Sequence, residues 1–155
     1  MKVRPIGRML FPGHVGDGDD EESYVFTIRY NTTGDTRLRE HRDSSVVTMN
    51  VNLNLPGENY TGSSIYFVGK EDDKSTLTRH NISFEPGMAL FHLGSHRHGS
   101  YPIVDAERFN LVIWMYGRGG YVRSTPYEMN ERLEPKKRWT RKYKKKETEF
   151  RFDRT

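Results

Sequence analysis

The chain contains no cysteine. That absence removes disulfides, zinc–thiolate sites, iron–sulfur clusters and thiol nucleophiles together, and makes a reducing, cytoplasmic setting the expectation. No run of eighteen apolar residues occurs, the length a membrane-crossing helix needs. The opening MKVRPIGRMLFPG lacks the apolar core of a secretory leader. Apolar residues make up only 34% of the 155 positions, against 30% charged, so a large share of the chain must meet water or lie outside a core. Three Asn-Xaa-Ser/Thr triplets, at Asn31, Asn59 and Asn81, form too common a pattern to argue for secretion.

Charge is unevenly spread. The stretch KKRWTRKYKKK, Lys136 to Lys146, holds eight basic residues and no acid; taking those eight from the net +4 leaves the remainder at −4. An acidic run, DGDDEE, spans Asp17 to Glu22. The chain therefore reads as a mildly acidic body, residues 1–118, followed by a polar linker and basic tail, residues 119–155. With Trp139 and Tyr143 interleaved, the tail has the composition to grip phosphates and stack on bases, to meet an acidic protein, or to remain a solvated end. The closing ETEFRFDRT alternates Phe150 and Phe152 in the manner of an edge strand.

The body is organised by β-type punctuation. YVFTIRY (24–30), SSVVTMNVNL (44–53), SSIYFVG (63–69), LTRHNISF (77–84), MALFHL (88–93) and RFNLVIWMY (108–116) are rich in β-branched and aromatic residues and are separated by turn residues. In the second, Val47, Met49, Val51 and Leu53 alternate with Thr48, Asn50 and Asn52, which predicts one apolar face. GSHRHGSYPIVDAE, between the last two, reads as irregular. No helical period appears across this region. The expectation is an all-β sandwich or barrel with few helices.

His41 and Asp43 stand two residues apart at the head of the second strand, a spacing that puts both on one face if the backbone is extended. A solvated strand entry explains such a pair equally well. Three more histidines, His92, His96 and His98, cluster further on. Two histidines and one carboxylate on one face make the open donor set typical of non-heme iron(II), and on residue types alone either His96 or His98 completes it. Arg108 opens the most apolar strand, where a cation at the strand mouth is the plain reading and a carboxylate receptor the sharper one. His14 and His80 read as surface residues, and Trp114 as core.

The stretches HRD, HGSYPI and ERFNLVIWM, with RPIGRMLFPG, FTIRY, VTMNVNLN and PGMALFHLGSHRHGSYPI around them, resemble the iron(II)- and 2-oxoglutarate-dependent dioxygenases of the prolyl and lysyl hydroxylase type, most of all the 2-oxoglutarate and iron-dependent oxygenase-domain proteins. The likeness runs from about Val3 to Gly117. It implies a double-stranded β-helix, or jelly roll, and hydroxylation of a C–H bond of a protein lysyl or prolyl side chain, a protein or peptide being the partner. It implies iron(II), 2-oxoglutarate and dioxygen, with ascorbate as an optional reductant. The family's interval from distal histidine to basic residue selects His98, so His41, Asp43 and His98 would hold the metal. Arg108 would receive the far carboxylate of 2-oxoglutarate with help from Asn110 and Tyr30, while Thr48 and Asn50 line the interior. His92 would pack or hydrogen-bond near that pocket. Two departures stand out: Ser63 and Ser64 replace a glycine pair, and the helices that brace the family's outer sheet look missing or minimal. A cupin-type isomerase is disfavoured because no glutamate follows His96 and His98 at cupin spacing. A catalytically retired barrel that binds nucleic acid or an acidic partner through Lys136–Lys146 is the remaining alternative. Substrate identity and oligomeric state are not encoded in any motif.

Overall fold

Ten elements form among the described residues, which are 3–15, 23–70 and 77–116 of a computed structural model. One is a short helix, α1 (Arg4–Leu10); the others are strands: β1 (Ser23–Asn31), β2 (Val47–Asn52), β3 (Thr61–Gly62), β4 (Ile65–Lys70), β5 (Leu77–Ile82), β6 (Ala89–Leu93), β7 (His98–Ser100), β8 (Ile103–Asp105) and β9 (Glu107–Met115). They pair antiparallel into a four-stranded sheet of order β1-β9-β2-β6, a three-stranded sheet β5-β4-β7 and a small β3-β8 pair. The larger sheets face one another: Phe67 of β4 lies 5.2 Å, ring to ring, from His92 of β6. This is the expected jelly-roll architecture.

β2 sits between β9 and β6, and its alternation is used in an unusual sense. Val47 and Met49 turn outward, into a cluster with Val15, Val46 and Met115 that Val3, Phe11 and Leu93 help to cover. Burying each such side chain contributes about 1.5–3 kcal/mol. The polar side of β2 turns inward. Thr48 and Asn52 are buried, and with Asn50 they bond to groups inside the barrel. The barrel interior is therefore polar along β2, flanked by one apolar cluster of Ile28, Tyr30, Ile103, Val112, Trp114 and Tyr116 and another of Ile65, Phe67 and Phe84. Trp114 is core, as its neighbours in the sequence suggest.

The few helices expected come down to one among the described residues, α1, although Pro5 and Gly7 give it little helical propensity. It packs closely on the sheet: a Cβ on Gly7 would stand 2.8 Å from the sulfur of Met115, whose side chain would have to shift. The stretch read as irregular contains β7 and β8, each three residues long and too short to show alternation. His41 and Asp43 are not on a regular strand: β2 begins at Val47, and His41 forms an isolated antiparallel bridge with His98. The acidic run and the whole of residues 119–155, the polar linker and the basic tail with the edge strand expected near Phe150, lie outside the described residues.

Candidate functional site

The polar interior begins with the bridge. His41 N–H donates to His98 O at 2.8 Å and His98 N–H returns the bond to His41 O at 3.0 Å. Two segments remote in sequence are thus locked side by side, with imidazole centroids 4.3 Å apart. Asp43 N–H donates to Gly94 O at 2.9 Å, which turns the carboxylate inward. Gly94 is required there because a Cβ would collide with the Ser45 carbonyl. Thr48 Oγ1, itself 2.8 Å from Ser45 Oγ, donates to Asp43 Oδ2 at 2.6 Å. The sequence places Thr48 only on the lining; the structure makes it the hydrogen-bond donor that orients Asp43.

Each nearby histidine is fixed through the same ring nitrogen. Nδ1 of His41 meets Arg39 O at 2.7 Å, Nδ1 of His98 meets His96 O at 2.9 Å, and Nδ1 of His92 meets Leu93 O at 3.0 Å. A carbonyl oxygen only accepts, so Nδ1 carries the proton and Nε2 presents a lone pair in the neutral ring. All three Nε2 atoms point to Asp43: His41 at 3.3 Å from Oδ1, His92 and His98 at 3.7 and 3.8 Å from Oδ2. Donor atoms of His41, Asp43 and His98 all lie within 4.8 Å of one another. His96, the alternative third donor, is exposed and packs on Phe67. His14 and His80 are exposed as well.

Protonation suits cation binding. Burial pushes the His98 imidazole down to about 3, and the negative charge of Asp43 only partly opposes it. Burial likewise lowers His92, against the same opposition. His41 loses by burial but gains more from its contact with Asp43, and ends above its ordinary value. Burial would raise Asp43, yet the imidazoles of His98, His41 and His92 together hold its carboxyl well below the usual carboxylate range. Near neutral pH the cluster thus offers one carboxylate and imidazole lone pairs, a donor set that fits iron(II) by its chemistry.

At the other end of the interior stands Arg108, 1% exposed. The β1–β9 register puts it opposite Tyr30, whose ring lies 4.6 Å from the guanidinium, with Phe84 at 5.7 Å and Tyr60 at 5.9 Å. Arg108 Nη1 donates to the Ser63 carbonyl, while its Nε has no partner among the described residues. Among the described residues no carboxylate pairs with Arg108; its sequence neighbour Glu107 pairs instead with Arg29. Ser63 holds φ at 55°, in the left-handed region that favours glycine, which accounts for the glycine pair found there in the resembled family. Asn110, on the same face of β9, donates to Asn50 Oδ1 at 2.8 Å and leaves its own Oδ1 unpartnered. Burial raises the Tyr30 phenol, with the charge of Arg108 and hydrogen bonds to Ser100 and Arg108 working against it, so the hydroxyl keeps its proton. The predicted residues therefore fall into two groups in one interior: His41, Asp43, His98 and Thr48 at one end, Arg108, Tyr30, Asn110 and Asn50 at the other. Sequence reasoning missed Ser63, Tyr60 and Phe84 as the walls of the second group, and the inward aim of His92.

No family model matches the chain. A 2-oxoglutarate and iron-dependent oxygenase domain-containing protein 2 from Xenopus tropicalis is 33% identical over 114 residues, 73% of this chain and 32% of that protein. This chain is a homologue of the iron(II)- and 2-oxoglutarate-dependent oxygenases. A rat procollagen-lysine,2-oxoglutarate 5-dioxygenase 1 is 29% identical over 115 residues, 71% of this chain and 14% of that protein. The Pseudomonas putida prolyl-4-hydroxylase structure superposes with a TM-score of 0.51 at 20% identity, covering 74% of this chain and 59% of that one, which shows the shared fold. The chain spans about a third of the length of the first of these relatives. The homology implies iron(II), 2-oxoglutarate and dioxygen as metal and cosubstrates.

Proposed function

We propose that this domain is an iron(II)- and 2-oxoglutarate-dependent hydroxylase, that His41, Asp43 and His98 hold its metal, that Arg108 receives the far carboxylate of 2-oxoglutarate, and that its substrate is a lysyl or prolyl side chain of a protein. One observation carries the reading: a fully buried guanidinium that faces no carboxylate among the described residues shares an interior with the histidine–aspartate cluster. A buried charge is costly unless it is paired, and a dicarboxylate reaching from the cluster to Arg108 would supply the pairing at one end and chelation at the other. The substrate class rests on the names of the lysyl and prolyl hydroxylase relatives.

When bound, iron(II) supplies dioxygen activation coupled to oxidative decarboxylation of 2-oxoglutarate to succinate and carbon dioxide, with oxidation of a substrate C–H bond. The chain's own residues supply geometry. The Arg39 and His96 carbonyls fix the His41 and His98 rings, and Thr48 fixes the Asp43 carboxylate. Arg108 Nε–H is buried without a partner among the described residues, and the neutral Tyr30 phenol stands beside the guanidinium. Phe67 and Phe84 add apolar walls to the interior.

The test is anaerobic addition of iron(II) and then 2-oxoglutarate to the purified chain, read as the visible charge-transfer band of a chelated keto acid. His98→Ala should abolish the band. Arg108→Ala should keep it but require roughly 10- to 100-fold more 2-oxoglutarate, the scale of one lost charge-assisted pair. A folded wild type that gives no band would overturn the proposal.

A further inference from the structure

We propose that His92 is a third nitrogen donor to the metal, a fourth protein ligand beside His41, Asp43 and His98; this rests on the iron reading above. Three independent features of the residue lead there. Its Nδ1–H is committed to Leu93 O at 3.0 Å, so the atom left facing inward, Nε2, is a lone pair. That Nε2 lies 3.7 Å from Asp43 Oδ2, as near as the Nε2 of His98 at 3.8 Å, and makes no hydrogen bond among the described residues. The β2–β6 register sets His92 opposite Thr48, whose hydroxyl already donates to the same Oδ2. Two imidazole lone pairs aimed at one carboxylate oxygen repel one another and the oxygen; a cation placed among them turns every one of those contacts attractive.

Packing alone is a weaker account. The His92 ring meets Phe67 edge-on at 5.2 Å, a contact any apolar side chain of similar size would make without burying a ring nitrogen beside an aspartate. His92 also stands outside the group of three whose donor atoms are mutually within 4.8 Å. It is the outlying donor, and so the one most easily given up. A six-coordinate ion held by His41, Asp43 and His98 would have three further positions. With His92 in one of them two remain, which a bidentate keto acid would fill, so His92 would have to leave only before dioxygen could bind. The count makes a distinctive demand: removing His92 weakens the metal but leaves the two positions of the keto acid as they were.

The experiment loads the chain with cobalt(II) and counts, by proton NMR, the strongly shifted exchangeable signals that metal-bound imidazoles give through their Nδ1–H groups. Wild type should show three, with or without 2-oxoglutarate, and His92→Phe should show two. In parallel, His92→Phe should weaken cobalt(II) about tenfold. Two signals in wild type, unchanged by the substitution, would overturn this inference and leave the iron reading standing. No shifted signal in wild type, with His41→Ala indistinguishable from it, would overturn both.

Discussion

At the residue scale the site is a set of hydrogen bonds that leave the right atoms unused. Thr48 is the clearest case, because its hydroxyl spends its proton on Asp43 Oδ2 and leaves Oδ1 toward His41. Partners of metal-holding groups are typically worth 10- to 100-fold in metal affinity. Thr48→Val, nearly the same shape, should therefore weaken the metal by that factor with the fold intact; metal titration beside a circular dichroism spectrum checks both halves. Much of this is readable from residue types. The His-Xaa-Asp pair and His98 come together in space, and Arg108 is buried as a carboxylate receptor would be. What cannot be read is aim. The parity of MALFHL says that His92 shares a face with Leu90, whereas its inward lone pair depends on the ring turning its proton to Leu93 O. Ser63 is illegible for a related reason: its φ is imposed by the turn that brings its carbonyl to Arg108.

Elements were legible in proportion to their length. β1, β2, β4, β5, β6 and β9 coincide with the alternating or β-branched runs, within a few residues at each end. β7 and β8 are hidden because three residues among Gly, Ser and Pro carry no period, and they exist only by pairing with β4 and β3. α1 is hidden because its stability comes from the sheet beneath it. The segment between β6 and β7 shows how little room such short elements leave. Gly94 gives its carbonyl to Asp43, and its N–H goes to Val46 O. Gly94→Ala would drive a methyl group into the Ser45 backbone, at a cost of order 1–3 kcal/mol for overpacking. The expected outcome is a lowered melting temperature together with weakened metal binding, since Asp43 moves with the backbone it is bonded to. Unchanged metal affinity in a destabilised variant would separate the two effects and contradict that coupling.

For the whole molecule, the buried imidazoles set a pH response. His98 stays neutral in the folded protein down to about 3, while in an unfolded chain it takes up a proton near its ordinary 6.5. Its folded value is depressed, so the neutral folded form is favoured above pH 6.5 and that advantage is lost as pH falls toward 3. The loss runs at up to about 1.4 kcal/mol per pH unit. His92 acts in the same direction. His41 is raised, so its contribution is complete below 6.5 and changes only above it; Asp43, lowered from 3.8, matters only below that value. The metal-free protein should therefore melt at progressively lower temperature between pH 6.5 and 4.5, with a shallower slope in His98→Phe, as thermal melts across that range would record.

The double backbone bond between His41 and His98 also says something about when the site can exist. The chain between them holds β2 through β6, so closing that contact means closing a long loop. Contacts of such sequence separation are slow to form compared with hairpins like β4–β5. A nascent or half-folded chain can have its local strands paired and still keep its histidines apart. If the cluster holds a metal as proposed, its uptake would be deferred until the barrel is shut, because the donor atoms meet only then.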